Sequence, residues 1–325
     1  MIISSNMRRK SGILTSKLNH GHWLSVAAIL AAVVIWGFSF LSIKVTVAVI
    51  GPMTLTFLRF VLASGVLYLV KRWLKPTERV ARGDWWLMGV TGIIGITLYY
   101  FFENNGVKLI TAAAASIIIA TIPILTLLTE FLFFKAKLTF FKIFGVIISL
   151  IGVYLVVGGD HFVAGNTQTG LGYLLMSGAG VVWVVYVIVT RPLFAKYSNL
   201  TIVTYQSYFA TLSLIPFVLM EDTRWSAVSL VIVVNLVFMG VFCSAAAYYF
   251  YVYALEHLGA NRSALFLNFI PVVSVICAWL ILKEQLSWVQ MIGGFFIMAA
   301  VPLTEWQWPL TAKLKRTALS EIDII

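Results

Sequence analysis

The sequence predicts an all-α integral membrane protein with ten transmembrane helices in two inverted five-helix repeats and with cytoplasmic N- and C-termini. Three observations support this prediction: the apolar composition, the number of long apolar segments, and a register between the two halves of the chain. Of the 325 residues, 61% are hydrophobic and 11% are charged, whereas soluble domains average about 45–50% and about 25%. The mean hydropathy is +0.98. The lipid bilayer is therefore the first predicted partner.

The number of spans follows from segment length. A helix needs about 20 mostly apolar residues to cross the hydrocarbon. Ten segments meet this criterion: Leu24–Ile43, Met53–Val70, Trp85–Asn104, Thr111–Phe134, Phe141–Val157, Leu171–Val189, Thr201–Met220, Val228–Phe250, Asn261–Leu282 and Ser287–Leu303. The first is too long for a signal-peptide core and no small-residue cleavage site follows it, so we expect it to be retained as a span.

Lysine and arginine in the loops predict the orientation. With the N-terminus inside, 18 of the 23 basic residues lie in inside segments and four in outside segments, and Arg59 lies within a span. This distribution obeys the positive-inside rule, which predicts a multi-pass protein of the plasma membrane with both termini inside. Because the cations are scattered between apolar blocks, they suit anionic lipid headgroups and argue against a nucleic-acid partner.

The two halves of the chain match each other at a shift of 147–148 residues. Each half holds five spans, and because five is odd, the second half enters the membrane from the opposite side. Inverted repeats of this kind recur in secondary transporters, with the binding site near the midplane. The matched pairs include Trp36 with Trp183, Tyr100 with Tyr248, and Pro123 with Pro271. The predicted divisions are a cytoplasmic tail (1–23), a first repeat (24–158), an extracytoplasmic linker (159–170), a second repeat (171–303) and a second cytoplasmic tail (304–325).

Four stretches carry a family resemblance: WGFSFLSIKV at Trp36–Val45, PMTLTFLRFVLA at Pro52–Ala63, the segment Tyr99–Phe134 beginning YYFFENNG, and the segment Ala247–Leu303 beginning AYYFYVYALEHLG. In order and spacing the chain resembles the EamA-type transporters of the drug/metabolite transporter superfamily. The resemblance implies a ten-helix inverted-repeat fold and movement of small metabolites, often export of amino acids or related compounds. The family usually carries a glutamate after the fourth and ninth helices. Here Glu284 is present, but its repeat mate is Ala136.

No sequence motif for catalysis or for a cofactor stands out. The G-x-x-x-x-G-K-[ST] nucleotide loop is absent, and the four histidines lack metal-ligand spacing. We therefore expect a protein that binds and gates rather than an enzyme, with no catalytic residue, metal or cofactor. The rival classes are a facilitative channel-like permease and an intramembrane enzyme.

Three ionisable side chains inside the spans need an explanation, because such groups are costly in a membrane. Glu130 lies near the inner end of the fourth span, close enough to the surface to be structural. Arg59 in the second span and Glu103 in the third lie at one depth. The two side chains either pair with each other or bind a zwitterionic solute, Arg59 at its carboxylate and Glu103 at its amine. We favour pairing, since a lone intramembrane arginine needs a partner. Their repeat mates are Gln206 and Tyr251, so protons, the candidate coupling ion, would have to use Glu103.

Helical spacing places aromatic and polar side chains on shared faces of several spans. Aromatic faces with a few polar groups suit a small amphiphilic solute, with an amino acid or a related compound as first candidate. Aromatic residues also anchor helices at the interface, so lining and anchoring both stay open. With Arg59 and Glu103, the predicted substrate-binding residues are Trp36, Ser39, Tyr100, Asn104, Trp183, Tyr186, Tyr248, Tyr251 and Asn268.

Two prolines in the fourth and ninth spans predict hinges. Pro123 and Pro271 each remove one backbone hydrogen bond and free a carbonyl four residues earlier. Kinks of this kind are natural points for gating. The apolar faces are compatible with a homodimer but do not require one.

Overall fold

A computed structural model describes residues 2–134, 139–164, 167–258, 263 and 266–305. The side chains of residues 2–22, 130, 134, 158–164, 252, 255–256 and 304–305 lie outside the description. The described chain is helical and contains no strand. This agrees with the predicted all-α membrane class.

The helices are named in chain order, with short 3₁₀ turns at Arg82–Asp84 and Trp225–Ala227. They are α1 (Ile2–Val47), α2 (Pro52–Leu74), α3 (Trp85–Gly92, Ile93–Leu98 and Tyr99–Leu109, continuous), α4 (Ala112–Ile119 and Ile122–Phe134), α5 (Phe140–Ala164), α6 (Thr167–Phe194), α7 (Asn199–Met220), α8 (Leu230–Val237, Phe238–Ala246 and Ala247–Leu258, continuous), α9 (Ile270–Cys277 and Ala278–Leu282, continuous) and α10 (Trp288–Glu305).

Helix length and composition identify the membrane-crossing elements. In the described part of the chain, α1 to α8 are long and apolar enough to cross a membrane, and α9 and α10 are shorter apolar helices. The start of the predicted ninth span, at residues 261–265, lies largely outside the described residues. Helix α5 reaches Ala164 and α6 begins at Thr167, so most of the predicted linker is helical.

Two repeat-related segments, Ile93–Leu98 in α3 and Phe238–Ala246 in α8, are π-helical. A glycine near each allows another backbone to approach closely. A Cβ on Gly92 would lie 2.6 Å from the Gln206 carbonyl oxygen of α7, and one on Gly240 would lie 3.1 Å from the Arg59 carbonyl oxygen of α2. The widened turns of α3 and α8 therefore pack directly against α7 and α2, and π-helical turns are often found at functional sites.

The predicted proline hinges lie at interruptions of the helices. In α4 a turn at Ala120 and Thr121 separates the two helical pieces, and Pro123 is the second residue of the second piece. A turn at residues 268–269 precedes α9, where Pro271 is again second. Proline is well tolerated in a first helical turn, where its missing N–H has no helical acceptor. The chain thus places two helix starts in the predicted spans instead of two kinked continuous helices.

Helix pairing follows the register found in the sequence. Helices matched by the register pack on each other in α2–α7, α4–α9 and α5–α10. The pairs α1–α8 and α3–α6 are exchanged by the same register, and both are present. The largest cluster of buried apolar side chains lies where α1 and α3 end and α2 and α4 begin, at the predicted outer end of the bundle.

Candidate functional site

Arg59 of α2 is buried against α8 and α3. Its side chain is 4% exposed, and its Nε donates a hydrogen bond to Ser244 Oγ at 2.8 Å. Ser244 donates in turn to the Met239 carbonyl, a bond of the π-helical segment that aims the hydroxyl oxygen at Arg59. The guanidinium carbon lies 4.6 Å from the ring centroid of Tyr100, a cation–π contact. The two terminal nitrogens of Arg59 find no hydrogen-bond acceptor among the described residues.

Glu103 of α3 lies near Arg59 but does not touch it. The carboxylate is 5% exposed, and its Oε1 accepts a hydrogen bond from the Tyr99 hydroxyl at 2.8 Å. The two charges interact electrostatically, yet no Arg59 nitrogen lies within 4.0 Å of a Glu103 oxygen. The favoured sequence interpretation, a direct pair, is therefore not what the structure contains. Oε2 of Glu103 has no hydrogen-bond donor in the described part of the chain.

Aromatic rings of both halves pack around Tyr99, the hydrogen-bond partner of Glu103. Trp183 of α6 packs against Tyr99 of α3 and against Tyr186 of its own helix, each with ring centroids 5.2 Å apart. Tyr99 also meets Tyr100 edge to face at 5.1 Å. The sequence placed Trp183 and Tyr186 on one face, and the ring contact agrees with that placement.

A second aromatic group joins α1 to α8. Trp36 lies 5.6 Å from Tyr251, centroid to centroid, and Tyr251 lies 6.4 Å from Tyr248. The Trp36 indole N–H donates to the Cys243 carbonyl at 2.9 Å. This carbonyl belongs to the π-helical segment of α8, which thereby fixes Trp36 as well as Arg59.

Three other predicted residues, Ser39, Asn104 and Asn268, differ in their polar contacts. Ser39 Oγ donates to the Trp36 carbonyl in its own helix at 2.6 Å. Asn104 donates through Nδ2 to the Pro52 carbonyl and to Thr56 Oγ1, which joins α3 to α2, while its buried Oδ1 has no partner in the part of the chain that the structure describes. Asn268 lies in the turn before α9 and keeps a buried Nδ2 without a partner in the described chain.

The repeat mate of Arg59 is held in a closed network. Gln206 accepts a hydrogen bond from the Tyr186 hydroxyl at 3.1 Å and donates to Thr91 Oγ1 at 2.9 Å. Its amide oxygen and nitrogen therefore both have partners, whereas the terminal nitrogens of Arg59 have no acceptor among the described residues. The two halves differ in chemistry at matched positions.

Glutamates of both membrane faces cap helix starts in the α2–α7 pair. Glu221, after α7, accepts from the Met53 and Thr54 N–H groups at the start of α2. Glu78, after α2, accepts from the Ser198 N–H and hydroxyl and from Thr201 Oγ1 at the start of α7. Partial burial opposes ionisation of Glu78, but these hydrogen bonds outweigh it and hold the pKa of Glu78 below its ordinary value.

Sequence reasoning missed two residues of the site. Tyr99 lies four positions before Glu103, so helical spacing could have paired them. Ser244 lies far from Arg59 in sequence, and no local signal predicts that contact. For a metal, the described residues contain no group of three or more His, Cys, Asp or Glu side chains that could hold an ion.

Comparison with known proteins identifies the family. The sequence profile of the EamA-like transporter family matches residues 23–158 and again residues 170–305. An "Uncharacterized transporter" of Archaeoglobus fulgidus is 30% identical over 271 residues, covering 83% of this chain and 93% of that protein. The "Probable terminal-alkyne amino-acid exporter" of Streptantibioticus cattleyicolor is 26% identical over 288 residues, covering 88% of this chain and 94% of that protein.

A solved structure shows the same fold. One crystal structure aligns with a TM-score of 0.62 at 20% identity and covers 87% of this chain and 97% of that chain. Two copies of the family profile and apolar helices long enough to cross a bilayer agree on the class. The chain belongs to the EamA-like transporter family, and it is a multi-pass membrane transporter of the plasma membrane rather than an enzyme.

Proposed function

We propose that this chain is a ten-helix secondary transporter that exports a small zwitterionic metabolite, an amino acid or a related compound, by alternating access. One observation carries the proposal. Arg59 and Glu103 are both nearly fully buried, and one side of each charged group has no hydrogen-bond partner among the described residues. Buried charges are normally paired or hydrogen-bonded throughout, so the free sides call for a ligand.

The free atoms fit a zwitterion. The terminal nitrogens of Arg59 form the fork that binds a carboxylate through two parallel hydrogen bonds. Glu103 Oε2 is a charged acceptor for an ammonium group, and the Tyr99 hydroxyl orients the carboxylate from its other oxygen. Arg59 and Glu103 make no direct ion pair. The carboxylate and the ammonium group of such a solute would each pair with one of them instead.

Aromatic side chains supply the walls for the apolar part of the solute. Trp36 contacts Tyr251 in one group of rings, and Tyr99 contacts Trp183 in another. An apolar cavity with few polar groups is typical of small-molecule sites. The relative named as an amino-acid exporter supports both the solute class and the direction of transport.

Two inverted repeats of five helices supply the alternating access. The pairs α1–α8 and α3–α6 exchange under the repeat register, and the π-helical segments recur at matched positions. Counting the shorter α9 and α10 as spans gives ten, and the loop charges then put both termini inside. Rocking of one repeat against the other would expose a midplane site to each face in turn.

A ligand-induced thermal-shift screen of purified protein tests the solute class. The panel contains amino acids, nucleosides and amphiphilic cations. We expect a selective upward shift in melting temperature with one or more amino acids, since a ligand that binds the folded state stabilises it. Arg59→Gln should abolish the shift, and Arg224→Gln, the same change at an exposed outer position, should preserve it.

Two results would contradict the proposal. Either no zwitterion shifts the parent protein while nucleosides or cations do, or folded Arg59→Gln retains the full shift. A transport assay in proteoliposomes distinguishes a carrier from a facilitative channel-like permease. The permease would show solute flux that neither saturates nor gives counterflow.

A further inference from the structure

The turn between α3 and α4, at the predicted outer end, is held from two sides by opposite charges. Lys44 from the last turn of α1 contacts the end of α3, and Glu284 after α9 contacts the start of α4. Only the residues around Thr111 separate the two contacts along the chain. Lys44 and Glu284 belong to different repeats, so together they attach the α3–α4 turn to both halves.

Lys44 uses all three ammonium donors on the turn. Its Nζ donates to the carbonyl oxygens of Val107 at 2.9 Å, Lys108 at 3.3 Å, and Ile110. These carbonyls end α3 and have no partner within that helix. The C-terminal end of a helix carries partial negative charge, which a cation stabilises.

Glu284 completes the hydrogen bonding at the start of α4. Its two carboxylate oxygens accept from the N–H groups of Ala112 at 3.1 Å and Ala113 at 3.2 Å. The next two N–H groups bond to the Thr111 hydroxyl and carbonyl. All four first N–H groups of α4 are therefore satisfied, and a carboxylate sits at the positive end of the helix.

The backbone before Glu284 is shaped for this contact. Lys283 has φ of 57°, the left-handed conformation that side chains other than glycine rarely adopt. The Glu284 N–H donates a hydrogen bond to the Ala278 carbonyl at 3.2 Å, just after α9 ends at Leu282. The chain accepts an uncommon conformation at the residue that directs Glu284 toward α4.

We propose that Lys44 and Glu284 are positioning residues of the outer gate, which hold the α3–α4 turn closed and must release it for outward opening. This inference rests on the alternating access proposed above. Val107 lies one helical turn outward of Glu103 on the same face of α3 and is fully buried. A movement of the turn away from α1 and α9 would uncover Val107 first and then the Arg59–Glu103 site.

Lys44 and Glu284, together called the clamp, stabilise the conformation in which the outer end is closed. The register matches Lys44 with Arg191, but it matches Glu284 with Ala136. The inner end therefore lacks a carboxylate at the matched position. Because only one face carries the acidic half of the clamp, the closed outer end is the more stable of the two closures.

Cysteine accessibility tests the gate without any substrate. The reporter is Val107→Cys in a background with Cys243→Ala and Cys277→Ala, labelled by a membrane-impermeant maleimide added to the outer face of oriented vesicles. We expect slow labelling in this parent and a rate at least about tenfold higher with Glu284→Gln or Lys44→Met, since each removes charge-assisted hydrogen bonds that hold one state.

Matched controls separate the clamp from general charge effects. Lys108→Met makes the same change on an exposed lysine of the same turn, whose side chain makes none of these bonds. Glu78→Gln removes a helix-capping glutamate at the opposite face. Both should leave the Val107→Cys rate within about twofold of the parent, below the effect expected from a charged hydrogen bond.

A second reporter distinguishes gate opening from loss of the fold. Ile202→Cys lies fully buried near the inner start of α7. Gate opening raises labelling at Val107→Cys alone. Unchanged labelling at Val107→Cys, or an equal rise at both reporters, would overturn the proposal. Because the assay contains no solute, a failed zwitterion screen leaves its outcome unaffected.

Discussion

The end of α1 at the predicted outer face and the end of α6 at the predicted inner face are repeat mates, and two of their matched positions pack very differently. In α1, Leu41 and Val47 are 2% and 4% exposed. Their mates in α6 are Ile188, which is partly exposed, and Phe194, which is 41% exposed. Matched positions of similar apolar character thus have different surroundings. Not every matched pair differs, since Thr46 and its mate Leu193 are both fully buried. We propose that the difference at the first two pairs reflects a conformational state in which the predicted outer end is closed and the predicted inner end is looser.

The contacts of the two helices explain this asymmetry. The outer end of α1 packs on α3 and α4 and forms the largest buried apolar cluster. The matched contacts would join α6 to α8 and α9, and the described residues of those helices form no comparable interface. Alternating access predicts an asymmetry of this kind, because one closure must open as the other forms.

The largest expected effect concerns the charges beneath the closed outer end. Arg59→Gln should lower transport at least about a hundredfold, because it removes a charge-assisted fork and leaves Glu103 without a compensating charge. Solute uptake into proteoliposomes measures this. Arg224→Gln, an exposed arginine at the outer end, is the control. Near-normal transport by Arg59→Gln would contradict the claim that the Arg59 charge, which the second half lacks, is needed for transport.

The packing comparison predicts unequal costs of truncation at mates. Leu41→Ala should lower the free energy of unfolding by about 2–4 kcal/mol, because it leaves a cavity in the closed outer cluster. Ile188→Ala should cost about 1 kcal/mol or less, since its side chain is already partly exposed. Thermal denaturation in detergent compares the two variants. Equal losses would mean that the ends are equally packed.

The left-handed residue at the outer end predicts a small gain. Lys283→Gly should raise the free energy of unfolding by up to about 1 kcal/mol, because glycine adopts positive φ without the steric cost of a side chain. The same melting assay measures it. A clear destabilisation would show that the Lys283 side chain, rather than its backbone, is what matters there.

The smallest effect is the pH dependence of the inner end. Glu78 has a lowered pKa in the folded protein, so its stabilising contribution is present above its ordinary pKa of about 4.3 and is lost as pH falls through the lowered value. The melting-temperature difference between parent and Glu78→Gln should therefore be constant near neutral pH and vanish in acid. A difference that persists in acid would contradict the bonding of Glu78 at the start of α7.

Much of the fold could be predicted from the sequence, because the bilayer requires each spanning helix to be long and apolar. Eight predicted spans correspond to helices long enough to cross, and the interruptions fall beside Pro123 and Pro271. The sequence did not predict that these interruptions would be helix starts, because proline chemistry alone permits a kink or a break. The π-helical segments were also missed, since an inserted residue leaves the apolar pattern almost unchanged.

The candidate site could be predicted in part, because helical periodicity shows which side chains share a face of one helix. Helical periodicity placed Trp183 with Tyr186 on one face, and the rings do touch. It could not show that Arg59 bonds to Ser244 instead of Glu103, because contacts between helices depend on rotation and depth. Depth matching brought the two charges close, but the distance between their polar atoms needed coordinates.

Counterflow in proteoliposomes tests the central claim most directly. Vesicles loaded with the unlabelled amino acid found by thermal shift are diluted into a trace of the labelled compound. An alternating-access carrier should accumulate label transiently above its equilibrium level, and Arg59→Gln should not. A linear, non-saturating entry of label without overshoot in the parent protein would contradict a site opened to one face at a time.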